Sequence, residues 1–286
     1  MSDGTFLTDD ASLRSDVRRL GELLGQTLVR QESQELLDLV EKVRKAVREG
    51  GGSEILENLD KKQSIQLVRA FANYFNLANI AEQVHRARVL TEQRVEGKSW
   101  LSRAVDRIIE AQGQDKELNK TNLQNWIDSF SVRPVFTAHP TEAARRSVLS
   151  KMNTIADLLD EKQTARRDRK LSEMIDLLWE TDELRLGQPE PLDEAVNALF
   201  YLDDLFALTI PEVLDDFARE LERLGLRVSP TARPLSFGTW IGGDRDGNPN
   251  ITPQVTKNAI VLQTGHFIRA MLAMLDELRQ ALSVST

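Results

Sequence analysis

The chain has 286 residues, 41% of them hydrophobic, enough to bury a substantial core as one large domain or two ordinary ones. Its 45 acidic side chains outnumber 37 basic ones, so it lacks the basic excess on which general nucleic-acid binding rests, and no nucleic-acid partner is expected. The absence of cysteine excludes disulfides and thiolate metal sites; with no apolar leader and no long apolar run, no membrane partner and a cytoplasmic location are expected.

From the N-terminus, Leu13, Val17, Leu20, Leu24 and Leu28 recur at helical spacing, and a second amphipathic stretch follows through Leu36, Val40, Val43 and Val47. The two are expected to form a hairpin that ends at Gly50-Gly51-Gly52, a plain linker, because no phosphate-loop residues follow it. Asp60 and Gln63 have capping-box spacing and open the longest apolar-periodic stretch, Ile65 to Leu90. Its buried stripe is read as Leu67, Val68, Phe71, Tyr74, Phe75, Ala78 and Ala81. Asn73, Asn76 and Asn79 are expected to cap loop backbone or face solvent. His85, beside Arg86 and Arg88, is read as solvated or ion-paired.

Helices near Trp100 to Ala111 and Leu123 to Phe130 lead to VFTAHPTEAARR, Val135 to Arg146. Val135, Phe136 and Thr137 favour extended backbone, and Pro140 keeps His139 out of the helical region. Thr141 then suits the cap of a helix that carries Glu142, Arg145 and Arg146. A histidine at the carboxyl end of a strand, beside a helix N-terminus and two arginines, points to an anionic substrate. On position alone, a structural histidine is the commoner outcome.

The run Arg166, Arg167, Arg169 and Lys170 reads as a solvated loop or helix start. After it, Trp179 to Arg185 holds Asp182 and Arg185 at ion-pair spacing. The helical pattern from Val196 to Leu224 is expected to kink or split at Pro211. Leu235 to Ile241 reads as a second short strand, followed by Gly242-Gly243, where the backbone turns tightly or approaches a ligand, and by the charged knot Asp244, Arg245 and Asp246. One more amphipathic helix covers Pro253 to Leu282, with His266 packed or half-exposed in its middle.

VFTAHPTEAARR resembles the histidine signature of phosphoenolpyruvate carboxylases, and Leu235 to Pro249, LSFGTWIGGDRDGNP, is similar to their Trp-Met-Gly-Gly-Asp-Arg-Asp-Gly-Asn-Pro block, with Ile241 in place of Met. Between them, the segment Trp179 to Arg185 with Asp193-Glu194-Ala195, and before them Arg69-Ala70-Phe71 and Leu77 to Glu82, resemble the same family in the same order. The resemblance implies a mainly α chain with two short parallel strands, the N-terminal portion of a helix-rich (β/α) TIM-type barrel. Residues 1-130 would form an N-terminal helical region, and 131-286 the first two β/α units of an incomplete barrel with helical insertions.

The activity so implied joins phosphoenolpyruvate and bicarbonate into oxaloacetate and phosphate, with Mg²⁺, in a cytoplasmic homotetramer that feeds the tricarboxylic acid cycle. His139 would be catalytic, Trp240 would line the carbon dioxide pocket and Arg145 would bind substrate. Gly242, Gly243, Asp244, Arg245 and Asp246 would shape the site. The family's metal carboxylates and glycine-rich phosphate loop belong to its C-terminal half, so no metal ligand is expected in this chain, which would be inactive alone. The alternative is a non-catalytic helical protein that kept the opening strands for binding or assembly.

Overall fold

In the computed structural model, residues 11–137, 146–182, 190–245 and 247–282 are described. In chain order the helices are α1 (Ala11–Gln31), α2 (Gln34–Arg48), α3 (Ser53–Glu57), α4 (Lys61–Val95), α5 (Trp100–Gln112) and α6 (Lys120–Ser129). Strand β1 (Val135–Phe136) follows, then α7 (Arg146–Asp160), α8 (Ala165–Glu180), α9 (Pro191–Asp204) and α10 (Ile210–Glu222). Strand β2 (Gly238–Thr239) and α11 (Pro253–Ala281) complete the series, so the described chain is mainly α with one parallel strand pair.

Contacts divide it into two compact units, one made of Met1–Glu96 with Ala144–Arg185, the other of Gly97–Ala143 with Leu186–Thr286. The division read from the sequence at residue 130 follows chain order, whereas these units follow packing: α7 and α8 close on the N-terminal helices α1 and α4. In that first unit Leu20, Leu77, Ile155, Leu159, Leu171 and Ile175 are buried in one cluster. Ion pairs edge it: Arg88 reaches Asp16 at 2.9 Å and Asp160 at 2.9 Å, and Arg19 reaches Asp168 at 2.9 Å. Thr27, fully buried, donates its hydroxyl to Asp176 at 2.6 Å.

The capping box at the start of α4 is formed as its spacing requires: Gln63 N–H donates to Asp60 at 2.8 Å, and Asp60 N–H to the Gln63 side chain at 3.1 Å. The stripe along α4 matches the expected one at Leu67 and Ala81, which are buried, and at Phe71, Tyr74 and Ala78, which are half-buried, but not throughout. Val68 and Phe75 are exposed, while Ala70, Asn73, Leu77 and Ile80 are buried. Asn73, expected to cap loop backbone or face solvent, is instead buried, and its amide donates to the Arg69 carbonyl one turn back in its own helix, at 3.0 Å; Asn79 is exposed as expected. His85 is half-buried.

The basic run also differs from its solvated reading at one position. It is the first turns of α8, capped by Thr164, and Arg166, Arg169 and Lys170 are exposed. Arg167 is buried, because its guanidinium donates to the carbonyls of Leu159 and Glu161 where α7 ends, at 3.5 and 3.0 Å. The last carbonyls of a helix lack partners within it, and here Arg167 serves them, sharing the Leu159 carbonyl with Arg88.

In the second unit, Val105, Leu123, Leu221 and Leu226 form a smaller core, with Phe130 stacked on Phe217 at 5.5 Å. Ser102 donates to Glu220 at 2.8 Å, fastening α5 to α10. The long pattern from Val196 does split near Pro211: a π-helical turn, Leu205–Thr209, separates α9 from α10, and Pro211 sits in the first turn of α10, where its missing N–H costs no helical bond. His266 on α11 pairs with Asp203 on α9.

Candidate active site at the end of the parallel strands

Val135 pairs with Gly238 and Phe136 with Thr239, in parallel. Backbone bonds run alongside the pair: Val132 N–H to Pro234, Ser236 N–H to Val132, Gly238 N–H to Pro134 and Trp240 N–H to Phe136, all 2.9 to 3.0 Å. The extended run read from Leu235 to Ile241 thus narrows to a bridge at Leu235 and a two-residue strand. Phe237 packs on Phe136 at 6.1 Å and meets Phe206, from the π-helical turn, edge-on at 5.6 Å. The aromatic packing fixes the strands laterally, and the last ladder bond sets Trp240 at their carboxyl end.

Trp240 is 55% exposed there, an apolar surface beyond the strand ends. The chain then reverses: the N–H groups of Gly243 and Asp244 both donate to the Trp240 carbonyl at 2.9 Å. Gly242 takes φ +74°, and a Cβ on it would lie 2.7 Å from the Cβ of Ala259 on α11. Both facts require glycine. Gly243 has an ordinary φ, and its Cβ would make only a van der Waals contact at 3.6 Å with the Trp240 carbonyl, so the tight turn depends on the first glycine of the pair. Ile241, buried, anchors the turn below, while Asp244 and Arg245 are exposed. Arg245 accepts the Asn248 N–H through its carbonyl, and Thr252 caps α11 by accepting the Val255 N–H at 3.3 Å.

Trp240, Gly242, Gly243, Asp244 and Arg245 therefore lie together after β2. His139, Arg145 and Asp246 lie outside the described residues, as do Glu183 and Arg185. The described β1 segment ends at Thr137, two residues before His139, and its carboxyl end points the same way as that of β2. Among the described residues no three His, Asp or Glu side chains are grouped as a metal site would need.

The segment around Trp179 is anchored in the other unit. Trp179 is buried, its indole N–H donates to Glu32 at 3.2 Å, and the Arg69 guanidinium lies 4.6 Å over its ring and donates to its carbonyl. Glu32 had no distinguishing signal in the sequence, and Arg69, although part of the Arg69-Ala70-Phe71 block, could not be matched to Trp179, which lies more than a hundred residues away. Glu194, in the Asp-Glu-Ala stretch, has its carboxyl pKa raised by burial, and Asp193 accepts the Glu190 N–H at 3.2 Å to cap α9. A cleft of about 790 Å³ opens between α1, α2 and α4, lined chiefly by aliphatic side chains and Tyr74. It holds none of the residues of the two strand-end blocks, although Ala70 and Phe71 of the N-terminal block line it, and its Arg44 is already paired with Glu41 at 2.6 Å, so the strand ends remain the candidate.

The family model of phosphoenolpyruvate carboxylase matches residues 13–286, both strand-end blocks included. The chain belongs to the phosphoenolpyruvate carboxylase family. It is 36% identical to the phosphoenolpyruvate carboxylase of Alcanivorax borkumensis over 88% of this chain and 30% of that protein. To the phosphoenolpyruvate carboxylases of Ectopseudomonas mendocina and Proteus mirabilis it is 35% and 33% identical, over 96% and 88% of this chain. The chain spans 30% to 33% of the length of these carboxylases. No described helix is long and apolar enough to cross a membrane.

Proposed function

We propose that this chain is the N-terminal third of an enzyme that carboxylates phosphoenolpyruvate with bicarbonate, giving oxaloacetate and phosphate, and that it is inactive alone. The observation that carries the reading is the match over residues 13–286, which takes in both motif blocks flanking the parallel strand pair. On this reading residues 1-130 are the helical N-terminal region and 131-286 the first two β/α units of a TIM-type barrel. The parent is a cytoplasmic homotetramer supplying the tricarboxylic acid cycle.

The chemistry divides into three steps. Bicarbonate oxygen takes the phosphoryl group of phosphoenolpyruvate, leaving carboxyphosphate and the enolate of pyruvate. Carboxyphosphate breaks its carbon–oxygen bond to release carbon dioxide and phosphate, and the enolate carbon attacks the carbon dioxide. His139 assists the second and third steps, a role suited to a side chain that changes charge near neutral pH. Arg145 holds anionic substrate. Trp240 supports the third step, because an exposed indole at the strand ends offers an apolar wall against which carbon dioxide is kept from water. Gly242, Gly243, Asp244, Arg245 and Asp246 shape the turn that presents it. Mg²⁺ belongs to the full enzyme; the described residues do not provide a ligand set for it, and none is assigned to it.

The test follows oxaloacetate formation by this chain, by the chain joined to the remaining part of the Alcanivorax borkumensis carboxylase, and by the joined protein carrying His139→Asn. Turnover is expected only in the second, with the third reduced by about 10²-fold or more, as for loss of a general acid–base group. The variant should still release phosphate in the presence of bicarbonate. Turnover by the chain alone, or an unimpaired variant, defeats the reading.

A further inference from the structure

Helix α11 carries an apolar face that nothing among the described residues covers. Val261, Ile268, Leu275 and Leu282 recur every seven residues and are all at least half exposed, and Phe267 and Met274 flank them, 56% and 67% exposed. The other side of the helix is occupied: it packs against α9, with His266 paired to Asp203, and Ala259 closes on Gly242.

The pattern identifies the kind of partner. A coiled-coil pair uses a narrow seam flanked by charged positions. Here the flanking positions are mostly apolar, Phe267 and Met274 on one side and Leu272 on the other, with Arg279, which is paired to Asp276, the one charge one heptad beyond Leu272, giving the broad stripe of a helix inside a globular protein. A lipid surface is met by a helix with a lysine- and arginine-rich polar side. On α11, Lys257, Arg269 and Arg279 stand against Asp276 and Glu277, close to balance. The family match runs through this helix to residue 286, so the stripe belongs to the shared sequence, and the matched carboxylases are about three times as long as this chain.

We propose that the exposed stripe of α11 is an intramolecular docking surface, covered by an apolar, uncharged face of the polypeptide that follows this segment in a full-length carboxylase. The proposal rests on the reading of the chain as part of that longer enzyme. Hydroxyl-radical footprinting read by mass spectrometry tests it on this chain, on the native Alcanivorax borkumensis carboxylase and on the joined protein. In this chain the segment Phe267 to Leu282 is oxidised as an exposed helix. In both longer proteins the aligned segment is protected by about tenfold or more, as for side chains moved from surface to core.

Equal oxidation in the short and long proteins overturns the proposal. So does protection of this chain alone that grows with its own concentration, which assigns the face to a second copy, or that appears only with vesicles of anionic lipid. Turnover is read separately: an inactive joined protein with a protected stripe defeats the enzymatic reading and leaves the docking surface standing, whereas an active one with an oxidised stripe defeats the surface alone.

Discussion

Gly242 and Gly243 are chemically identical neighbours, and only their surroundings separate them. Gly242→Ala forces a left-handed backbone and a 2.7 Å contact with Ala259, so about 1–3 kcal/mol of stability should be lost in urea titrations, while Gly243→Ala should stay within about 0.5 kcal/mol. Equal effects would remove the argument that the turn depends on the first glycine. Glu194 offers a pH test. Burial raises its carboxyl pKa above the ordinary 4.5, so the folded chain holds a proton that the unfolded chain has already released. Ionising it therefore costs stability as pH rises from 4.5 through the raised value, and the cost persists above that window. Glu194→Gln should raise the melting temperature at neutral pH and leave it unchanged below pH 4.5; the reverse order would contradict the sign.

At the scale of elements, the Arg167 side chain bridges the end of α7 and the start of α8. Arg167→Ala leaves the Leu159 and Glu161 carbonyls without that donor and should cost about 1–3 kcal/mol, whereas Arg166→Ala, one residue away and exposed, should cost under about 0.5 kcal/mol. The start of α4 gives a second case: Asp60→Ala removes the half of the capping box that accepts the Gln63 N–H and should cost about 1 kcal/mol, while the other half, the Gln63 side chain accepting the residue-60 backbone N–H, survives it and is lost only on adding Gln63→Ala, which should cost a further few tenths of a kcal/mol. Chemical denaturation of the single and double variants checks both. The caps are local, which is why Asp60 and Gln63 were legible from their spacing. Arg167 was not, since nothing in a run of four basic residues says which one meets a helix end.

For the whole chain, the first unit draws on two separated stretches, so its core is long-range. Leu171→Ala on α8, fully buried, should cost about 2–5 kcal/mol. Peptide amides of α1 and α4, far away in sequence, should then exchange hydrogen faster along with those of α8. Loss of protection confined to α8 would deny that these helices share one core. Circular dichroism of the intact chain should be that of a strongly helical protein, and a spectrum dominated by sheet would overturn the fold.

The sequence by itself determined whatever depends on neighbours along the chain. Period-three-and-four apolar spacing gave α1, α2, α4 and α11, the Pro211 break gave the split into α9 and α10, and unbroken motif strings around His139 and Trp240 gave the family. The tertiary structure decided what depends on distant partners. It turned the face of α4 so that Asn73 is inside and Phe75 outside, because α1 and α7 approach from a side that periodicity leaves open. It shortened the second strand to Gly238–Thr239, because a strand extends only as far as its neighbour pairs with it. It fastened Trp179 to Glu32 and Arg69 across more than a hundred residues. Helical phase is set by spacing along one segment, but which face is covered, and by what, is set only when segments far apart in the chain pack together.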